Sequence, residues 1–121
     1  MKILLTGATG YIGKRLLIEL VNNGHDVVCC TRDKNRFDPP ASLLQNIEVI
    51  EVDFLDKETL KNIPNDIDGA YYLMHSMSSS TDYEKLELIS ATNFRETLNQ
   101  TKVQHVIYLS GIINENKLSK H

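Results

Sequence analysis

The chain of 121 residues is 41% hydrophobic and 24% charged, the proportions of one soluble globular domain (1–121) rather than of a disordered or fibrous segment. Thirteen Lys and Arg against sixteen Asp and Glu give a net charge of −3. Nucleic acid is therefore not expected as a partner, because phosphate binding by bulk charge needs a cationic surplus. No apolar run reaches the ~20 residues of a membrane span. The first strand starts too near Met1 to leave room for a signal peptide, and a cytoplasmic protein is expected.

Residues 3–13 read Ile-Leu-Leu-Thr-Gly-Ala-Thr-Gly-Tyr-Ile-Gly. An apolar run predicts a buried strand over 2–6, and Ile12, Leu16, Leu17, Leu20 and Val21 predict a helix over 11–22. A strand that turns sharply into a helix aims the helix's unpaired N–H groups and the positive end of its dipole at whatever lies above the turn, an arrangement suited to pyrophosphate. Gly7 would permit the exit from the strand, Gly10 would clear room for phosphate oxygens, and Gly13 would let helix and strand pack closely. Thr6, Gly7, Thr9, Gly10, Tyr11, Ile12 and Gly13 are thus candidates for cofactor binding. A tight turn with no ligand is the alternative.

Asn23-Gly24 should end the helix. His25 to Thr31 reads as a strand buried on both faces, with Val27, Val28, Cys29 and Cys30 in succession. These two cysteines are the only ones. As strand neighbours they point to opposite faces, so no bond between them is expected, and buried thiols suit a reducing compartment. Pro39-Pro40 excludes continuous helix in the polar loop 32–45. A strand is predicted over 47–52, then a short helix capped by Asp56 and ending near Pro64, then a strand over 69–74. The serine-rich 76–80 reads as a flexible loop. Thr81-x-x-Glu84 has the form of a capping box opening a long helix to about Lys102, and Val106 to Leu109 forms a fifth strand. Alternating strands and helices with right-handed crossovers predict an α/β fold, a parallel sheet of order 3-2-1-4-5 with ligand at the C-terminal ends of strands one and four.

After the second strand, an NAD site would carry Asp or Glu about 20 residues beyond the glycines. Arg32 stands there, with Lys34 and Arg36 nearby. A guanidinium can hold a 2′-phosphate that a carboxylate would repel, so NADP is favoured over NAD. Asp33, one residue on, keeps NAD open, as does a merely solvated Arg-Asp-Lys turn.

Thr6 followed by Gly-x-x-Gly-x-x-Gly resembles the opening of the extended and atypical short-chain dehydrogenase/reductases, a superfamily that includes nucleotide-sugar epimerase/dehydratases and NmrA-like proteins. The resemblance implies a three-layer, doubly wound Rossmann-type sheet, of which this chain would be an incomplete, N-terminal portion. It implies that Asp53, beside Phe54, meets the adenine amino group, although a loop Asp that only turns the chain fits as well. It implies that Leu73, Met74 and His75 line the ribose and nicotinamide side. Tyr-Leu-x-His-Ser-Met at 72–77 is similar to a bacterial oxidoreductase subgroup, and His75 could act as acid or base or only bond locally. Asn93 to Asn99 resembles the family's Asn-Val-x-Gly-Thr-x-Asn, with Glu96 in place of glycine.

Ser110 matches the family serine that polarises a substrate oxygen, but no Tyr in this chain stands four residues before a Lys. His25, His75, His105 and His121 are scattered, so no metal site is expected. Two functions remain open. One is the cofactor half of an NADP-dependent oxidoreductase or epimerase acting on a small molecule; the other is a non-catalytic dinucleotide-binding or redox-sensing module. The fifth strand would leave an open sheet edge, through which a homodimer could form.

Overall fold

The computed structural model describes residues 1–74, 81–103 and 105–110. His75, the serine-rich 76–80 and the polar 111–121 lie outside the described residues. Five parallel strands form one sheet: β1 (Lys2–Leu5), β2 (Asp26–Thr31), β3 (Ile47–Glu51), β4 (Gly69–Met74) and β5 (His105–Ser110). Their spatial order is β3-β2-β1-β4-β5, as the alternating pattern predicts. β1 is central, with Leu4 beside Val28 on one flank and Ala70 on the other.

The pleat divides the apolar residues between two layers. Ile3, Leu5, Val27 and Cys29 pack against helix α1 (Tyr11–Asn22), through Leu17 and Leu20, and against Leu43 of the 3₁₀ segment Ala41–Asn46. Leu4, Val28, Cys30, Ile50 and Tyr72 face the other way, toward Ile63, Ile67 and helix α2 (Thr81–Leu98). Cys29 and Cys30 thus sit in different layers, both buried and unbonded. Burial pushes the Cys29 thiol up to about 12 and raises that of Cys30 as well, since a thiolate is disfavoured away from water.

The expected elements recur with shifted ends. The short helix after β3 is a 3₁₀ helix, Lys57–Asn62, and Asp56 caps it by accepting from the Glu58 N–H at 3.1 Å. The loop after β2 contains a further 3₁₀ turn, Lys34–Arg36. α2 stops at Leu98 rather than continuing to Lys102, because the Thr101 hydroxyl donates to the Leu98 carbonyl at 2.8 Å and turns the chain toward β5. At the N-terminal ends of the strands, Lys2 Nζ lies 2.9 Å from Asp66 Oδ1, while the Lys2 backbone N–H donates to Asp68 Oδ2 at 2.9 Å. These bonds hold both carboxyls below the usual carboxylate range.

α2 is anchored by Phe94, which is fully buried. Its ring centroid lies 4.3 Å from that of Tyr72 and 5.5 Å from that of Phe54, so one residue joins helix, sheet and the loop after β3. Phe94→Ala is expected to destabilise the fold by about 3–5 kcal/mol, the range for emptying a buried aromatic site. A lowered urea midpoint with unchanged slope would report it.

Candidate functional site

The turn after β1 is held from three directions. The Thr6 backbone N–H donates to the Tyr71 carbonyl at 3.1 Å. Its hydroxyl donates to the same carbonyl at 3.1 Å and accepts from the Leu73 N–H at 3.1 Å. The Thr6 side chain, a predicted cofactor contact, is therefore engaged in stitching β1 to β4. Gly7 follows with φ +73°, and a Cβ there would lie 3.0 Å from both Cβ and carbonyl oxygen of Leu73. Gly13 presses the first turn of α1 onto this bend: a Cβ at Gly13 would fall 1.9 Å from the Gly7 carbonyl oxygen.

Gly10 differs from both. It has ordinary extended backbone, φ −80° and ψ 173°, and begins α1 with no side-chain cap. A Cβ added there would meet only the Gly7 oxygen, at an unstrained 3.5 Å. The fold itself does not demand a glycine here, and the room above Gly10 is left to something else. Helical geometry leaves the N–H groups of Tyr11, Ile12 and Gly13 without intrahelical acceptors, and the first turn of α1 holds no acidic residue. A negative group is suited to that end. The Tyr11 ring is exposed and lies 5.0 Å from the Arg15 guanidinium carbon, so Tyr11 can offer the site its backbone rather than its ring.

A crevice of about 840 Å³ opens along the C-terminal ends of β1, β2, β3 and β4. Thr6, Gly7 and Thr9 line it beside Leu73, and Arg32, Asp53 and Phe54 line it further along. Seven of the residues singled out in the sequence thus share one cavity, while Gly10, Tyr11, Ile12 and Gly13 shape its turn without being among its lining. A smaller cleft of about 280 Å³ lies between Lys57–Asn62 and α2 and shares none of the glycine turn.

The two residues competing after β2 are separated by their bonding. Asp33 Oδ1 accepts from the Asn35 N–H at 2.9 Å, capping Lys34–Arg36, and its Oδ2 lies 3.6 Å from Arg36 Nε. Arg32 is exposed on the crevice and makes no ion pair among the described residues. After β3, Asp53 does the turning work that the sequence also allowed: its Oδ1 accepts from the Leu55 N–H at 2.9 Å. Phe54 is tied to α2, its carbonyl accepting from Asn93 Nδ2 at 2.6 Å.

Met74 ends β4 and is paired in register with Ser110, which ends β5, so the candidate serine's backbone lies at the same end of the sheet as the crevice. His75 lies outside the described residues. Among the described residues no cluster of His, Cys, Asp or Glu could hold a metal ion, and no helix is long and apolar enough to cross a membrane.

The sequence reading missed the wall that α2 contributes. Leu86, Glu87 and Ser90 line the crevice with Tyr72, and the Tyr72 and Ser90 hydroxyl oxygens are 2.9 Å apart. Glu87 Oε1 is buried without a hydrogen-bond partner among the described residues. The signal that could have found them is the spacing 87, 90, 94, 98, which continues the core-facing stripe of the helix upstream.

Residues 7–120 match a family model described as NAD(P)H-binding. The chain is 34% identical over 102 residues to UDP-N-acetyl-alpha-D-glucosaminuronate decarboxylase of Bacillus cytotoxicus, covering 81% of this chain and 31% of that protein. Its fold is that of uronate dehydrogenase from Agrobacterium tumefaciens, with a TM-score of 0.75 and 19% identity over 91% of this chain and 40% of that one. It is similar also to Citrobacter sp. triphenylmethane reductase complexed with NADP(H), with a TM-score of 0.67 and 20% identity over 88% of this chain and 36% of the reductase. The chain therefore spans less than half the length of each of these proteins.

The contrast between two glycines gives a test. Gly13→Ala should destabilise the fold by more than about 3 kcal/mol, because backbone rather than a flexible side chain stands in the way. Gly10→Ala should shift the thermal midpoint little while weakening dinucleotide binding at least tenfold (about 1.4 kcal/mol). Calorimetric melting and fluorescence titration of the two variants measure these effects.

Proposed function

The chain belongs to the NAD(P)H-binding family, and from that premise we propose that it is the cofactor-binding portion of an NADP-dependent oxidoreductase or nucleotide-sugar epimerase/dehydratase-like protein. The observation that carries this reading is the open space above Gly10 at the uncapped start of α1, next to Gly7 and Thr9, which line the same crevice as Arg32. The backbone N–H groups of the α1 turn hold the diphosphate. Arg32 holds the 2′-phosphate by charge-assisted hydrogen bonds, and the engagement of Asp33 in its own cap leaves that guanidinium unopposed. Asp53 and Phe54 form the adenine end. Leu73 lines the crevice; the family resemblance assigns Leu73, Met74 and His75 to the nicotinamide side and gives Ser110 the role of orienting a substrate oxygen. The nicotinamide, when bound, supplies a site that accepts or donates hydride.

The sugar-nucleotide decarboxylase among the relatives supports an epimerase/dehydratase-like parent, and the NADP(H) in the reductase supports the choice of cofactor. A cytoplasmic setting accords with two buried, unbonded cysteines. The alternative reading is a non-catalytic dinucleotide-binding or redox-sensing module. Turnover of pyridine nucleotide by this polypeptide with a panel of carbonyl compounds would exclude the module.

NADPH should bind more tightly than NADH. Arg32→Ala should cost NADPH roughly tenfold in affinity, about 1.4 kcal/mol, and leave NADH nearly unchanged. Fluorescence titration of both nucleotides reads the result, and equal affinities in the unaltered chain would overturn the NADP assignment.

A further inference from the structure

α2 turns one stripe toward the sheet: Ser90, Ala91, Phe94 and Leu98 all lie on it. Phe94 and Leu98 are core residues and Ala91 packs against the same cluster. Glu87 continues the stripe one turn upstream, where a buried position in a helix of this kind is ordinarily apolar. Instead it carries a carboxylate whose Oε1 is buried and has no hydrogen-bond partner among the described residues. An unpaired carboxylate oxygen shut away from water is costly, and a group in that condition calls for a donor from elsewhere.

The position of Glu87 in the crevice is fixed by two ties. The Asn93 amide donates to the Phe54 carbonyl at 2.6 Å, joining α2 to the loop after β3. The Ser90 and Tyr72 hydroxyls, 2.9 Å apart, join it to β4. Glu87 is six residues before Asn93, or about 9 Å along the helix axis toward the crevice. It lines the same cavity as Asp53, Phe54, Leu55 and Leu86. Together with Glu87, these residues combine apolar side chains, suited to a flat ring, with two carboxylates. At neutral pH a carboxylate accepts and does not donate, and Asp53 Oδ1 is already engaged with the Leu55 N–H.

We infer that Glu87 is a specificity residue for the nucleobase, accepting a hydrogen bond from the exocyclic amino group of adenine through its unpartnered Oε1. The assignment rests on the dinucleotide reading above and extends it to a residue on α2. A base with a keto oxygen in place of the amino group would set acceptor against acceptor and leave the carboxylate unpaired. Sites built to bond a donor reject an analogue lacking it far more strongly than apolar pockets reject a missing methylene.

The test titrates the 121-residue chain with NADPH and with its hypoxanthine analogue, in which oxygen replaces the 6-amino group, following nucleotide fluorescence. The unaltered chain should prefer NADPH by roughly tenfold or more. Glu87→Gln keeps the shape and offers an amide donor, so it should reduce the preference below about threefold or reverse it. Glu87→Ala should weaken NADPH and leave the analogue almost unaffected, and circular dichroism should show both variants folded. An unchanged ratio in Glu87→Gln overturns the assignment while the dinucleotide site stands. Equal weakening of both nucleotides assigns the carboxylate to a ribose hydroxyl and overturns it too. Failure of either nucleotide to bind the unaltered chain removes the dinucleotide reading itself, and this inference with it.

Discussion

Among the described glycines, the one where a side chain would collide hardest is Gly13, where α1 meets the bend after β1. The carbonyl of Gly7 occupies the space where any side chain at Gly13 would begin. Helix and strand meet backbone to backbone, and that contact sets the direction in which α1 leaves the sheet. The direction in turn decides where the helix's free N–H groups point. Thr6 secures the other side of the same bend, since its hydroxyl bonds both the Tyr71 carbonyl and the Leu73 N–H. The floor of the crevice is thus built by bonds within the protein, and its opening is preserved by Gly10, where no bond or contact requires the missing side chain.

Charge along the crevice is graded rather than uniform. Arg32 and Arg36 stand after β2, the dipole of α1 points into the region of the glycine turn, and the carboxylates of Asp53, after β3, and Glu87, on α2, line the same crevice. A ligand with separate anionic and donor-bearing parts matches such a gradient better than a uniformly charged one. The chain as a whole carries only −3, so selectivity here comes from arrangement at the strand ends and not from bulk charge.

The sheet order was legible because β2 is apolar on consecutive positions and the strands alternate with helical spacing, which leaves few right-handed topologies to choose among. The glycine turn was legible because its three glycines are evenly spaced between an apolar run and a helical apolar pattern, and Gly7 and Gly13 answer local constraints. That Arg32, Asp53, Phe54 and Leu73 line one crevice was legible because they follow or end strands, where such a sheet opens its cleft. The α2 wall was not found. Glu87 and Ser90 reach the crevice only after a long crossover has been laid across the sheet, and their residue types look like those of a solvated helix face. The bonds of the Thr6 hydroxyl were not legible for a related reason: its partners lie 65 to 67 residues away on β4, and no local pattern announces them. The end of α2 slipped because the Thr101 hydroxyl closes the helix from beyond its last turn.

The two adjacent sulfurs have a use that follows from the pleat alone. Cys29 belongs to the layer under α1 and Cys30 to the layer under α2, so neighbours in sequence monitor opposite sides of one sheet. Alkylation rates resolved for each thiol would time the opening of each layer separately. The protein thereby carries an internal pair of clocks for the order in which its two halves come apart.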